Sequence, residues 1–466
     1  LFEDMALWSA ELRATRCLAE TLTRADVLTA PAARRRLAAR KLEMTAVSAA
    51  NDHPSYQQSL VTSAENLTDY VPPRQLLMYL IRMGSFNSSP KILNSDSQDD
   101  DFHLPSRKMS LSSVVEFCKQ QRYGLPELLG REYAPLGTNN LVHQKHSGFC
   151  NDEICTVSTD KVCLPFSNNG VIRVFQWNVL SQALGIHSDG FLLCPAEALD
   201  WHTRKYGMLQ AILETRPDVV CLQEVDHFNF LQRSLGSLGY SGMFRAKPDS
   251  PCLYMPDNNG PDGCAIFFRE DKLQLLKADT KVLEIWKMPT NQVVIAATFR
   301  VLDSNSEICV ATTHLKARRG SLMKKLRDEQ GKDLLEFVKQ HSENKPLVLC
   351  GDFNAEPEEP VYKRIISHRD LGLASAYAEM ASYPQGARPE NPGDREPPYT
   401  TWKVREESEE CHTIDYIYYT KKSFSVEAGL LFPSEREIGP ARLPSYSYPS
   451  DHMSLMCDLK FSEKDS

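Results

Sequence analysis

The residues Leu349–Glu356 carry the clearest chemical signal in the chain. The apolar run Pro346–Leu349 predicts a buried strand, and Asp352 and Asn354 follow it two positions apart, so their side chains share one face. A carboxylate and an amide placed this way can position a water molecule beside a metal-bound phosphate. Gly351 predicts a sharp turn at the end of the strand. Asp, Asn and Gly are also ordinary turn residues, so this motif needs support from others.

Two further polar residues end predicted strands. Asn178 closes the first strong strand and would project a neutral amide. Glu224 follows the apolar run Val219–Leu222, where the sheet meets solvent. A carboxylate at such a position suits Mg²⁺, which prefers hard oxygen ligands and usually takes one or two carboxylates together with waters and phosphate.

A cluster of donors follows the strand that ends near residue 314. His314 and Lys316 lie two apart and share a face in extended chain, and Arg318 continues the pattern. Lys and Arg bind phosphate oxygens, and an imidazole can donate to the same group as charge builds on it. The spacing therefore favours a phosphate site over a single structural histidine.

The C-terminal part supplies a histidine for acid–base chemistry. His452 follows Asp451 directly, but neighbouring side chains in extended chain point apart, so Asp451 need not orient the imidazole. Asp415 begins another predicted strand. We expect Asp415 to hold His452, because a carboxylate bound to an imidazole favours the tautomer and charge that proton transfer requires.

Two regions of different character are predicted. Residues 1–170 form an N-terminal region that is partly helical and partly disordered, and residues 171–463 form a catalytic domain. Short β-rich runs alternate with amphipathic helices in the second region. This order predicts an α+β fold with two packed β-sheets flanked by helices, a four-layer α/β sandwich.

Composition limits the class of protein. The chain has 466 residues, a net charge of -8 and 13 cysteines. A protein that coats nucleic acid usually has a basic excess, so any phosphate site must be local. The cysteines lack zinc-site spacing and predict a reducing compartment. No apolar run is long enough to span a bilayer. Residues 1–45 resemble a mitochondrial targeting segment, which predicts a location in the cytoplasm, the mitochondrion or both, or in the nucleus. We also expect a monomer.

Taken together, the motifs resemble the exonuclease–endonuclease–phosphatase superfamily, which cleaves phosphoesters with Mg²⁺, and in particular its circadian, deadenylase-like branch. The resemblance covers residues ~170–462. It rests on these segments: Phe175–Leu184, Cys221–Asp226, Asn258–Ala265, His314–Arg318, Cys350–Pro357 and Pro397–Trp402. The resemblance implies removal of the 2′-phosphate of NADP⁺ and NADPH to give NAD⁺ and NADH.

The resemblance also implies residue roles. Glu224 would hold Mg²⁺ and contact the substrate. The implied catalytic residues are Asn178, His314, Asp352, Asn354, Asp415 and His452. The implied substrate-binding residues, besides Glu224 and members of that set, are Lys247, Pro248, Asp249, Asn291, Leu315, Lys316, Ala317, Arg318 and Phe353.

Two other functions remain open at this point. The same metal site would serve a 3′-exoribonuclease acting on poly(A), with weak contacts to RNA or to mRNA-decay partners. Alternatively, the chain would be a scaffold that recruits partners through residues 1–170. The acidic net charge argues against strong RNA affinity, and intact candidate ligands at every motif argue against a scaffold.

Overall fold

The computed structural model describes residues 110–136, 164, 167–168, 170–381, 388–406 and 408–462. The chain divides into the units Leu1–Leu77 and Met78–Ser466, and every described residue belongs to the second. The predicted targeting segment therefore lies outside the described residues, as does most of the predicted N-terminal region. Within the described part, no helix combines the length and apolar character needed to cross a membrane.

The first sheet contains seven strands. In spatial order they are β1 (Tyr133–Pro135), β14 (Phe424–Leu430), β15 (Leu455–Phe461), β2 (Val171–Asn178), β3 (Val219–Val225), β5 (Gly263–Arg269) and β4 (Tyr240–Ala246). β2 and β3 run parallel, so their carboxyl ends lie side by side, and every other neighbouring pair is antiparallel.

The second sheet contains six strands. In spatial order they are β10 (Leu373–Ser375), β13 (Asp415–Thr420), β9 (Leu347–Asp352), β8 (Glu307–His314), β7 (Met288–Val301) and β6 (Leu273–Ile285). β8 and β9 are its parallel pair. A separate hairpin, β11 (Thr401–Val404) with β12 (Glu409–His412), stands beside the two sheets.

The helices are α1 (Leu111–Gln121), α2 (Gln182–His187), α3 (Ala196–Leu199), α4 (Trp201–Thr215), α5 (Phe228–Gly236), α6 (Ser321–Ser342), α7 (Pro360–Ile366), α8 (Ala376–Met380) and α9 (Glu435–Ile438). Helices α1, α4 and α5 pack outside the first sheet, α6 and α7 pack outside the second, and α8 packs against the apolar cluster between the sheets. Strand β3 shows why the layers form. Val219 and Cys221 pack between the sheets, whereas Val220 and Leu222 pack under helices of the first sheet. The predicted four-layer arrangement is confirmed.

The catalytic unit begins before the predicted boundary at residue 171. Strand β1 pairs with β14 in the first sheet, and Val114, Val115 and Cys118 of α1 pack in the same apolar cluster as α4. The predicted N-terminal region 1–170 includes these residues, since the sequence there shows only scattered short apolar runs. The segment 110–136 is therefore part of the folded unit, and the predicted boundary is wrong for it.

Candidate active site

The polar residues predicted at strand ends converge at one edge of the two sheets. Asn178 and Glu224 lie at the carboxyl ends of β2 and β3. In the second sheet, the register places His314 opposite Asp352, and Asp352 opposite Asp415. Three functional side chains, one histidine and two aspartates, therefore form a row across β8, β9 and β13. Hydrogen bonds then join this row to the first sheet.

Gly351 has a different role from the predicted turn. It lies inside β9, and a Cβ atom there would lie 2.4 Å from the carbonyl oxygen of Thr313 on β8. Glycine is needed because the two parallel strands approach each other closely just before Asp352. The expectation of a sharp turn at this residue is wrong, since the strand continues through Asp352.

Several residues of the site have left-handed backbone. The φ angles are 55° at Glu224, 50° at Asn354 and 96° at Arg318. Such conformations are uncommon for residues other than glycine and persist where the surrounding structure imposes them. These backbone conformations cost free energy, which the surrounding structure offsets while it directs the side chains.

Asn178 joins the two carboxylates of the site. Its Nδ2 donates to Oε1 of Glu224 at 3.0 Å and to Oδ2 of Asp352 at 2.9 Å. The backbone N–H of Ser181 donates to the other oxygen of Glu224 at 3.1 Å. The half-buried carboxylate of Glu224 is thus fixed by two neutral donors, and no cation neutralises it within hydrogen-bond reach in the described part of the chain.

His452 and Asp415 form the predicted pair. Nδ1 of His452 lies 2.8 Å from Oδ2 of Asp415, and its Nε2 lies 3.7 Å from Asp451 and 3.8 Å from Asp352. Burial acts to lower the pKa of His452, but the carboxylates of Asp415, Asp451 and Asp352 outweigh it and raise that pKa to about 10. The imidazole is therefore protonated near neutral pH, and the prediction that Asp415 rather than Asp451 orients it is confirmed.

The pKa of Asp352 is also raised, but in a carboxyl group this shift favours the neutral form. Burial, with a smaller contribution from the charge of Asp415, raises the pKa of Asp352 to about 7, against the opposing effects of His452 and Asn178. A carboxylate with a pKa near neutral can accept a proton under physiological conditions. Paired groups with displaced pKa values are typical of acid–base sites.

His314 stays neutral beside these groups. Burial and the charges of Lys247 and His452 hold the pKa of His314 well below its usual value. Its Nε2 lies 3.0 Å from Nδ2 of Asn354, and its Nδ1 lies 3.4 Å from Nζ of Lys247. Lys247 also donates to Asp262 at 2.6 Å. The residues of two predicted motifs, His314 and Asn354, thus contact each other directly.

The cations lie around the rim of this centre. Burial and the neighbouring charges of Arg318 and Lys247 lower the pKa of Lys316 to about 8. Arg318 is exposed. Asn291 is buried, donates to the backbone oxygen of Asp249 at 2.9 Å, and has its own side-chain oxygen buried without a hydrogen-bond partner. Positive charge therefore gathers near Lys247, on the side of the site where His314 lies.

Four predicted substrate-binding residues do not direct polar side chains at the site. Leu315 and Phe353 are buried in the apolar cluster under the second sheet, so their side chains do not face the site, although the backbone oxygen of Leu315 accepts from Asn354 at 3.1 Å. Pro248 and Ala317 are exposed beside the rim cations. The prediction is wrong for the Leu315 and Phe353 side chains, because strand alternation turns them into the core.

Two further cations at the site, Lys403 and Arg405 on the hairpin, were not predicted from the sequence. Lys403 makes an ion pair with buried Asp451, and Arg405 contacts Asp189 at 3.1 Å. Nε of Arg405 is buried without a hydrogen-bond partner. Lys403 and Arg405 lie two apart in the run Thr401–Arg405, the same spacing that singled out His314 and Lys316, and this spacing could have indicated them.

The comparisons with known proteins agree with this geometry. The model of the endonuclease/exonuclease/phosphatase family matches residues 175–452, which span the whole strand-end site. The chain belongs to this family. Within the family it is nocturnin-like: it is 48% identical over 468 residues to nocturnin of Drosophila melanogaster, covering 95% of this chain and 72% of that protein.

Two other members of the family place the chain more closely. The solved human nocturnin catalytic domain, which holds a bound sulfate anion, is similar at 41% identity with a TM-score of 0.52, covering 63% of this chain and 95% of that chain. The Ccr4 3′-5′-exoribonuclease subunit of Kluyveromyces lactis is 27% identical over 310 residues, covering 58% of this chain and 38% of that protein. The chain is therefore a nocturnin-type hydrolase related to the deadenylases.

Hydrolases of this family depend on a divalent metal, and the carboxylates fit one. Glu224 offers a carboxylate fixed only by neutral donors, with lone pairs left for a hard cation. Among the described residues, Asp352, Asp415 and His452 also lie close enough to share an ion, with ligand atoms within 4.8 Å of one another. Asp415 and His452 bind each other, whereas Glu224 has no ion-pair partner among the described residues.

Proposed function

We propose that this chain is a Mg²⁺-dependent phosphatase that removes the 2′-phosphate of NADP⁺ and NADPH. The observation that carries the proposal is the charge around the centre. Lys247, Lys316, Arg318 and protonated His452 lie at the site, and the charges of two of them are partly offset, Lys247 by Asp262 and His452 by Asp415. A terminal phosphate carries up to two negative charges near neutral pH, whereas a phosphodiester carries one. The cluster suits the terminal phosphate better.

The repulsion among Lys247, Lys316 and Arg318 supports the same conclusion. The charges of Arg318 and Lys247 help to lower the pKa of Lys316, which means that bringing the three together costs free energy in the empty site. An anion bound among them removes that cost. The human nocturnin catalytic domain binds a sulfate anion, a tetrahedral dianion, which supports binding of a phosphate group by this chain.

The residues divide the work of hydrolysis. Asp352 accepts the proton of the attacking water, and Asn354 fixes the position of that water or of the phosphate. Attack of the water on phosphorus breaks the bond to the ribose 2′-oxygen, which leaves as a hydroxyl after it takes up a proton. His452 carries a proton on Nε2 for this transfer, and Asp415 holds its ring. His314, Lys247 and Lys316 donate to phosphate oxygens as charge grows on them. Mg²⁺ bound by Glu224 would draw charge from the same phosphate oxygens.

A single preparation tests the proposal. Phosphate release from NADPH and shortening of an A-tailed oligonucleotide are measured with and without Mg²⁺, and the Glu224→Ala variant serves as the blank for contaminating phosphatases. We expect Mg²⁺-dependent phosphate release from NADPH with an intact oligonucleotide. Shortening of the oligonucleotide without phosphate release would replace the proposal.

That second outcome corresponds to the competing candidate, a 3′-exoribonuclease. The similarity to the Ccr4 exoribonuclease subunit favours it. The same strand-end residues would serve it, since both reactions hydrolyse a phosphoester. The difference lies in the rim, where an exoribonuclease would need a path for the preceding nucleotides.

A further inference from the structure

Two glutamines cross the space between the sheets. Gln176 of β2 donates from Nε2 to Oδ1 of Asp415 at 3.0 Å, and Gln223 of β3 donates from Nε2 to the hydroxyl of Thr312 at 2.9 Å. Both side chains are completely buried, and both carbonyl oxygens lack a hydrogen-bond partner. The two residues thus share chemistry, depth and orientation. Only Gln176 ends on the acid–base pair.

The hydrogen bonds of Asp415 show what Gln176 adds. Oδ2 of Asp415 accepts from the hydroxyl of Thr400 at 2.7 Å and faces Nδ1 of His452 at 2.8 Å. Oδ1 accepts from Gln176. Within the described ranges, Oδ1 has no second donor. Rotation of the carboxylate is therefore opposed at one oxygen by Thr400 and His452 and at the other by Gln176.

An amide at this position is not explained by packing. A buried carbonyl oxygen without a partner costs free energy, and an apolar side chain of the same size would avoid that cost. The surroundings of Gln176 are apolar, with Val174 and Leu455 packing between the sheets nearby. The donor that reaches Asp415 is the feature an apolar residue would lose.

We propose that Gln176 is a positioning residue of the acid–base pair. It holds the Asp415 carboxylate so that Nδ1 of His452 stays aligned with Oδ2 and Nε2 stays directed at Asp352. Partners in the shell around reacting groups typically change activity 10–100-fold when they are removed. The proposal rests on the proposed function only for its turnover measurement.

The test compares Gln176→Met with Gln223→Met, which removes an equivalent hydrogen bond between the sheets from an equally buried site. Three quantities are measured on the full chain: the free energy of unfolding, the downfield proton resonance of the His452 Nδ1–H in metal-free protein, and kcat and KM for phosphate release from NADPH. The His452→Gln variant assigns the resonance.

We expect similar losses of stability in both variants. Gln176→Met alone should shift or broaden the His452 resonance and lower kcat about 10–100-fold, with KM within about twofold because Gln176 does not reach the substrate. Gln223→Met should leave the resonance in place and lower kcat a few-fold at most. If Gln176→Met does not fold, Gln176→Leu removes the same donor and is compared with Gln223→Leu.

An unshifted resonance, or equal kcat in the Gln176 and Gln223 variants, would overturn the proposal. If the wild-type protein released no phosphate from NADPH, the proposed function would fail, and the resonance alone would still decide the role of Gln176.

Discussion

The reaction centre and the rim of the site are built in different ways. Asn178, Glu224, His314 and Asp352 stand at the ends of parallel strands in the middle of each sheet. Strand register sets His314 beside Asp352, and a hydrogen bond from Asn178 holds Glu224. Lys316 and Arg318 lie on a loop, and Lys403 and Arg405 lie on a separate two-stranded hairpin. The centre is therefore positioned by the core, and the rim by local contacts.

This difference suggests a division of function. In the proposed mechanism the centre supplies the metal site, the base and the acid that act on the reacting phosphate. The rim supplies charge that recognises the rest of the substrate. Substitutions at the centre should therefore change turnover, and substitutions at the rim should change substrate affinity and its pH dependence.

The largest expected effect is at the centre. Glu224→Ala should reduce phosphate release at least ~10³-fold, since electrostatic stabilisation of the reacting phosphate is lost. The far-ultraviolet circular dichroism and Tm should stay close to those of the wild type, because Glu224 lies at a strand end. Glu270→Ala removes an exposed carboxylate that follows β5 at the far end and serves as the control. Near-normal activity in Glu224→Ala would refute the metal assignment.

Asp415→Asn should have the next largest effect. The amide cannot stabilise a protonated His452, so kcat should fall about 10²–10⁴-fold, with little change in Tm. The matched control is Asp458→Asn, at a buried carboxylate that binds Arg173 at 2.7 Å away from the site. That variant should lose free energy of unfolding and keep its turnover. The reverse pattern would assign Asp415 a structural role.

A smaller effect is expected at the rim. Lys316→Ala should lower kcat/KM about 10–100-fold at pH 7, the size of one charged hydrogen bond. Because the pKa of Lys316 is lowered to about 8, the free enzyme loses this cation as the pH rises through 8. Wild-type kcat/KM should therefore decline between pH 7 and 9.

The control for that prediction is Lys316→Arg, which keeps its charge over the whole range. Its kcat/KM should stay flat where the wild-type value falls. An identical alkaline decline in both proteins would show that another group titrates.

The smallest effect concerns a carboxyl group outside the site. Burial raises the pKa of Glu396 to about 7, and Tyr362 donates to it at 2.7 Å. A raised folded-state pKa stabilises the protein at low pH, and this stability is lost as the pH rises from about 4.5 to 7. Glu396→Gln should therefore raise Tm by a few degrees at pH 8 and not at pH 4, with unchanged turnover. An equal Tm change at both pH values would contradict the assignment.

The sequence predicted the centre better than the rim for a physical reason. A strand that is buried on both faces reads as a continuous apolar run, and the polar residue at its end is easily seen, as at Glu224 after Val219–Leu222. The order of such residues along the chain identifies the centre. Lys403 and Arg405 follow no long apolar run, because β11 belongs to a two-stranded sheet with β12.

The same reasoning explains which strands were missed. Strands β4 and β6 lie at the edges of their sheets and are largely half-buried or exposed, so their sequences lack long apolar runs. β1 has three residues and carries a proline, which an edge strand tolerates. Most central strands were predicted because burial dictates their composition, whereas pairing alone defines the edge strands. Strand β14, beside β1, was also not predicted, since buried and exposed residues alternate in its first half.

The short strand β1 also determines where a stable fragment of this protein can begin. A fragment starting at residue 171 would lose β1 from the open side of β14 and α1 from the apolar surface of α4. It would also lose the Tyr133 hydroxyl that donates to Asp458 at 2.6 Å. Uncovered strand edges recruit strands from other molecules, so poor solubility or self-association of such a fragment would reflect the missing segment and would say nothing about the intact enzyme.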